Sequence, residues 1–142
     1  MINSGAITVA SLLVNHYSIE DMQKYMQDVC EDPEIAVDEA VFQSEMATCA
    51  RNKAIAYLLK SKDIIDTDVE DSVTFYTKMC SMSVNARDLA MFGLLLANDG
   101  VQLSTGKRLI SSQTVRMVQT IMLTCGMYDG SGEFALKNRN SD

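Results

Sequence analysis

Ala86-Arg87-Asp88-Leu89-Ala90-Met91-Phe92-Gly93-Leu94-Leu95-Leu96-Ala97-Asn98, followed by Asp99-Gly100, is the stretch that decides how this chain folds. Leu89, Phe92, Leu95 and Leu96 recur at intervals of three and one to four, which predicts a helix with one apolar face. Ser83 or Asn85 offers a side-chain oxygen to cap its start. Asp99-Gly100 stops it, because glycine suits the left-handed position just past a helix end.

The same pattern repeats outward. Toward the N-terminus, Asp68 opens a helix carrying Val69, Val73, Tyr76 and Met79, and Arg51 to Leu59 places Ala54, Ile55, Leu58 and Leu59 on one face. Asp38 caps a segment running through Val41 and Phe42 toward Ala47. Ser18, with Asp21 three residues on, opens a helix bearing Ile19, Met22, Met26 and Val29 that must end before Pro33. Ile7 to Asn15 is almost wholly apolar and reads as buried on all sides. Toward the C-terminus, Val101 to Ile110 reads as an irregular excursion or small hairpin around Thr105-Gly106. Ser111 or Ser112 then opens a last helix with Val115, Val118 and Met122 on its face. Three glycines follow between Gly126 and Gly132. Glu133-Phe134-Ala135-Leu136 suggests one short strand, and Lys137 to Asp142 a frayed polar tail. A strand alone leaves its ladder groups unpaired, so this one implies a sheet elsewhere. No repeat, low-complexity tract or linker interrupts the chain, which suggests one helical unit.

With 142 residues, 47% apolar and 22% charged, the composition is that of a globular domain. A net charge of −7 repels phosphate backbones and anionic lipid, which argues against nucleic acid and membrane as partners. Ile7 to Val14 is too short to span a bilayer and lacks a basic flank. Cys30, Cys49, Cys80 and Cys125 are scattered without a C-x-x-C pair, and His16 is the only histidine, so a zinc cluster lacks ligands. Reduced thiols in a cytoplasmic protein are the simpler expectation. Ten methionines, among them Met22, Met26 and Met79, read first as core filling.

Five short motifs stand in a fixed order: Met1-Ile2-Asn3-Ser4-Gly5-Ala6-Ile7, Phe42-Gln43-Ser44-Glu45, Arg51-Asn52-Lys53-Ala54-Ile55-Ala56, Phe75-Tyr76 leading to Cys80-Ser81, and Cys125-Gly126-Met127-Tyr128-Asp129 with Ser131-Gly132. Leu95-Ala97-Asn98-Asp99-Gly100 lies between the last two. In this order they resemble the serine-dependent glutaminases, of the β-lactamase-like Ser-x-x-Lys superfamily. The resemblance covers residues 1 to 135, about half of a full catalytic domain. It implies a mainly α chain: the helical portion of a two-part α/β fold, with at most a short C-terminal strand and most of the sheet absent. Residues 1–136 would then be a partial glutaminase domain and 137–142 a divergent tail.

The resemblance also implies hydrolysis of L-glutamine to L-glutamate and ammonia through an acyl-serine, with no metal or organic cofactor, in an oligomer of like subunits. It assigns Asn3, Glu45, Asn52, Tyr76 and Tyr128 to the substrate pocket, with Tyr128 also beside the chemistry. A buried carboxylate at Glu45 suits an α-ammonium group, and the amides of Asn3 and Asn52 can donate to an α-carboxylate. Glu45 and Asn52 would share a face if one helix ran through both, although Ala47 to Ala50 can break it. A phenol whose pKa is lowered by cations can relay protons. By spacing alone Tyr76 reads as core, Asn3 as an N-cap, Asn52 as a helix-start residue and Glu45 as a solvated surface residue.

The family's nucleophile belongs to a Ser-x-x-Lys motif upstream of the Asn3 segment. The sole Ser-x-x-Lys here, Ser104-Thr105-Gly106-Lys107, falls in the irregular stretch and matches a family turn instead. Ser83-Val84-Asn85 fits a Ser-x-Asn pattern of related enzymes but reads first as a cap. The sequence alone therefore predicts an inactive polypeptide prone to self-association. The alternative is a non-catalytic helical module that binds or assembles with others.

Overall fold

The computed structural model describes residues 3–138; Met1-Ile2 of the first motif and residues 139–142 of the polar tail lie outside them. The described residues form eight α-helices and one 3-10 turn: α1 (Ser4–Leu13), α2 (Ile19–Cys30), α3 (Glu39–Ala47), α4 (Ala50–Lys60), α5 (Val69–Cys80), α6 (Ala86–Ala97), α7 (Ser112–Cys125), the turn Tyr128–Gly130, and α8 (Ser131–Asn138). No sheet is present among them, only isolated antiparallel bridges at Val37–Met82 and Val101–Arg108. No described helix is long and apolar enough to cross a membrane.

Local chemistry sets the helix starts. Ser18 Oγ accepts from the Asp21 amide while the Asp21 carboxylate accepts from the Ser18 amide, a reciprocal cap that also holds the Asp21 pKa down. Asp38 accepts from the Val41 amide, Asp68 from those of Glu70 and Asp71, and Ser111 from that of Thr114. Asn85, rather than Ser83, caps α6, accepting from the Arg87 and Asp88 amides. Each satisfies donors that a helix start otherwise leaves open.

The chain divides into two compact units, Met1–Asp88 and Leu89–Asp142. No linker marks the division, which falls within α6, and the sequence alone suggests a single unit. In the first unit α5 is the hub, packed against α1, α2, α3 and α4. Its core joins Ile7, Cys49, Ile55, Ala56, Leu59, Ile65, Val69 and Val73, with Met46 and Tyr76 against it. The α5 face is the one its spacing predicts. α1 departs from expectation: Ile7 and Ala10 are buried, but Val9 and Leu12 are exposed, so it is covered on one side only.

In the second unit, α6 ends as expected. Asp99 and Gly100 both take left-handed backbone, and the Gly100 amide donates to the Leu95 carbonyl at 2.8 Å. A Cβ on Gly100 would overlap the Ile110 carbonyl, so glycine is required there twice over. The excursion 101–110 is a small hairpin closed by Gln102 N–H to Lys107 C=O at 2.9 Å. Leu95, Leu96 and Val115 are buried, and Gln119 Nε2 donates to the Leu96 carbonyl at 3.0 Å, tying α7 to α6. Leu89 and Met122, placed on apolar helix faces, are exposed, because a periodic stripe says which face is apolar and not how much of it is covered.

The expected strand at Glu133 to Leu136 is helical, as part of α8. Glu133 and Lys137, one turn apart, pair at 2.7 Å on that helix. The tail reading is corrected at Lys137 and Asn138, which close α8. Met22, Met26 and Met79 are only partly buried.

Candidate functional site

Four of the five residues assigned by resemblance lie in the first unit. Asn3 stands at the N-cap position of α1 but does not cap it. Its Nδ2 donates instead to Asn52 Oδ1 at 2.9 Å, across 49 residues of sequence. Asn52 sits in the first turn of α4, so the bond joins two helix starts. It also fixes amide orientation: Asn3 retains one amide hydrogen and Asn52 both of its own, while the Asn52 oxygen is engaged. Beside it, Lys53 of α4 pairs with Glu70 of α5 at 2.7 Å.

Glu45 lies in the last turn of α3. That helix ends at Ala47 and α4 begins at Ala50, so no continuous helix carries Glu45 and Asn52. Thr48 Oγ1 donates to the Ser44 and Glu45 carbonyls, both at 3.3 Å, and helps close α3. The carboxylate is exposed rather than buried, which corrects the expectation of a desolvated anion. A negative charge near a helix C-terminus gains nothing from the helix dipole.

Tyr76, on α5, is half-buried against the core, as its spacing suggests. Burial, followed by a hydrogen bond to Cys80 and the negative charges of Cys80 and Glu45, pushes its phenol up to about 12. The direction opposes the lowered pKa that proton relay requires; at neutral pH Tyr76 is a hydrogen-bond donor. Glu45 is near enough to be felt there, so Glu45, Tyr76 and Cys80 form one neighbourhood fed by α3 and α5. The spacing of Tyr76 and Cys80, one turn apart on one face, is the signal that would have singled out the thiol. All four cysteines are free thiols, with Cys30 and Cys49 buried.

Tyr128 lies in the second unit, at the start of the 3-10 turn, with its side chain 67% exposed. Its φ is +52°, left-handed backbone that tyrosine rarely adopts, whereas none of Gly126, Gly130 and Gly132 has positive φ. Ser131, which belongs to the fifth motif but is given no role there, braces it. That hydroxyl is buried, accepts from the Met127 amide at 3.0 Å and donates to the Tyr128 carbonyl at 3.0 Å. Ser104 and Lys107 both lie in the exposed 101–110 hairpin and not on a helix, unlike a Ser-x-x-Lys base pair. His16 is exposed, and no three of His, Cys, Asp and Glu among the described residues are grouped to hold a metal ion.

Known proteins match this arrangement along its length. The glutaminase family profile matches residues 1–138. Glutaminase 2 of Clostridium perfringens is 44% identical over 139 residues, covering 96% of this chain and 46% of that protein. The glutaminase of Clostridioides difficile is 43% identical over 141 residues, covering 96% and 45%. Among solved structures, a probable glutaminase of Bacillus subtilis superposes with a TM-score of 0.86 at 34% identity, over 95% of this chain and 44% of that one. The native form of Mglu gives 0.86 at 32% identity, over 93% and 33%. The chain thus spans about half the length of the curated relatives it matches, and its helices are a helical portion of their fold. By profile, by identity and by superposition, this chain belongs to the glutaminase family.

Proposed function

We propose that this chain is part of a glutaminase that hydrolyses L-glutamine to L-glutamate and ammonia. The bond between Asn3 and Asn52, two residues far apart in sequence that both fall on the family's pocket positions, carries the reading. Residues 1–136 are part of one catalytic domain, and 137–142 diverge from it. Asn3 and Asn52 offer their remaining amide hydrogens to the substrate α-carboxylate. Glu45 takes the α-ammonium, and the neutral Tyr76 phenol donates to the substrate. Tyr128 stands by the scissile amide. A serine outside these 142 residues attacks the side-chain carboxamide carbon, ammonia leaves with a proton, and water then cleaves the acyl-serine to free glutamate. No metal or organic cofactor takes part, and the complete protein is a cytoplasmic homo-oligomer.

Relatives support the ligand class. A Bacillus subtilis glutaminase forms a covalent complex with 5-oxo-L-norleucine by reaction with 6-diazo-5-oxo-L-norleucine, and Mglu has a glutamate form. The 142-residue chain alone should release no ammonia from glutamine. Ammonia release that scales with chain concentration would overturn this and return Ser104 and Lys107 to consideration. Glutamate should raise its melting temperature if the first unit holds pocket contacts by itself, and Asn52→Ala should remove the rise.

A second reading, a non-catalytic module that binds partners, draws on α7 and α8. Met117, Ile121, Leu123, Phe134 and Leu136 are each more than half exposed. An ammonia-negative chain that binds no glutamate yet assembles with full-length glutaminase subunits would favour it.

A further inference from the structure

A polar cleft lies in the first unit, on residues to which the glutamine reading gives no role. It is lined by Asp32, Glu34 and Ile35 from the connection between α2 and α3, and by Ser83, Val84, Asn85 and Asp88 at the start of α6. Its two walls are pinned to each other. Asp38 N–H donates to the Ser81 carbonyl at 2.8 Å, and Ser83 N–H to the Ala36 carbonyl at 2.9 Å, on either side of the Val37–Met82 bridge. Gln27 Nε2 holds the first wall from α2, donating to the Pro33 and Ile35 carbonyls at 3.0 and 2.8 Å. A cleft tied in this way loses little freedom when it is filled.

Asp88 forms the floor. It is 1% exposed, and its two oxygens are used unequally. Oδ2 accepts from the Asn85 amide at 2.8 Å, completing the reciprocal cap of α6. Oδ1 is buried with no hydrogen-bond partner. A buried carboxylate oxygen in that position is costly unless a donor reaches it. Asp32 and Glu34 add two carboxylates at the rim, and no lysine, arginine or histidine lines the cleft. The field of Asp88 and Asp32 reaches inward: the buried Cys30 thiol is pushed up by burial first, then by the charges of Asp88 and Asp32.

The occupant must therefore bring positive charge and at least one N–H. A metal ion is disfavoured, since no three ligating side chains among the described residues are suitably grouped. We propose that this cleft binds the cationic end of an alkylguanidine or alkylamine, with Asp88 Oδ1 accepting from it and Asp32 and Glu34 neutralising it. Val84, exposed at the mouth, supplies apolar surface for the methylene stem. The same chemistry is offered by a free small cation and by an arginine or lysine side chain of a protein.

The test is titration of the 142-residue chain with agmatine, followed by the amide resonances of Ser83, Asn85 and Asp88. Saturable shifts at these residues are expected. Asp32→Asn with Glu34→Gln leaves the α6 cap untouched. Asp32 accepts from the Glu34 amide at 2.8 Å, and the carboxamide oxygen introduced by Asp32→Asn can still do so. That double variant should bind at least about tenfold more weakly, as expected when charge-assisted partners are lost. Asp88→Asn should abolish binding, with circular dichroism confirming that its helices persist. If Asp88→Asn unfolds, the double variant decides alone. Shifts that never saturate, that spread over the whole acidic surface, or that survive both rim substitutions would overturn the proposal. So would a crystal soaked in agmatine that shows only water at Asp88 Oδ1. An arginine-bearing peptide that binds more tightly than agmatine identifies a protein side chain as the source; equal affinity identifies a free cation.

Discussion

The two units are equally helical and differ in what their helices cover. In Met1–Asp88 the α5 face meets four other helices and closes over Ile7, Ile55, Val69 and Val73, each 4% exposed or less. Among the described residues of Leu89–Asp142 the buried apolar side chains reduce to Leu95, Leu96 and Val115, while Ile121, Leu123 and Leu136 stand open. The contrast teaches that an apolar stripe fixes a helix and its facing but not its neighbour. A first unit with a closed core can hold its own geometry. A second unit with so little buried depends on local devices: the α6 stop, the 101–110 hairpin and the Ser131 brace.

The largest expected effect breaks the closed core. Ile7→Ala removes a fully buried side chain where α1 meets the core, and should cost about 2–5 kcal/mol, read as a lowered denaturant midpoint for the first unit. An unchanged midpoint would show that the core is not closed there. Gly100→Ala strikes the second unit's local device. Left-handed backbone and the collision with Ile110 together should cost more than about 1 kcal/mol, with hydrogen-exchange protection lost around residues 95–110 and kept in α5.

Tyr76→Phe sharpens the comparison from the site. The phenol's ordinary value is 10.0 and its folded value about 12, so the native state keeps the proton that the unfolded chain gives up. Any stability linked to this group is intact below pH 10 and is lost as pH rises toward 12. Phenolate absorbance should show a tyrosine class titrating near 12 that Tyr76→Phe removes; Tyr25, also raised by burial, stays. If the late class survives the substitution, the neighbourhood of Glu45, Tyr76 and Cys80 is wrongly drawn. The smallest effect on stability belongs to Ile121→Lys. On an exposed face it should stay within about 0.5 kcal/mol, while light scattering shows less self-association. A large loss of stability would mean that α7 is covered after all.

How much could be read from the sequence depended on range. Caps at Ser18, Asp38, Asp68 and Ser111, and the stop at Asp99-Gly100, act within five residues and could be read directly. Burial of Leu12, Leu89 or Met122 depends on distant segments: the wholly apolar run misjudged Leu12, and the stripes did not say that Leu89 and Met122 stand open. Four residues from Glu133 to Leu136 are too few to separate a period of 2 from one of 3.6; the pairing of Glu133 with Lys137 was the overlooked cue. At the candidate site, motif order placed Asn3 and Asn52 in one neighbourhood, and the structure joins them. Glu45 exposure and the upward push on Tyr76 were not visible, because both depend on what surrounds a side chain. Tyr128 was expected in a glycine loop. Its left-handed backbone falls on the tyrosine itself, held by a serine that no spacing rule flagged.

The hub role of α5 has a consequence for how the chain comes into being. α1 meets α4 and α5, yet α5 begins only at Val69, so the first unit's core waits for a long loop to close. During synthesis the apolar α1 emerges well before α5 and finds that partner late. A chain stopped after Lys60 would keep Ile7 without Val69 and Val73 to cover it. The step that commits this unit to its fold is the arrival of α5, and until then its most apolar helix is the segment that most needs a chaperone.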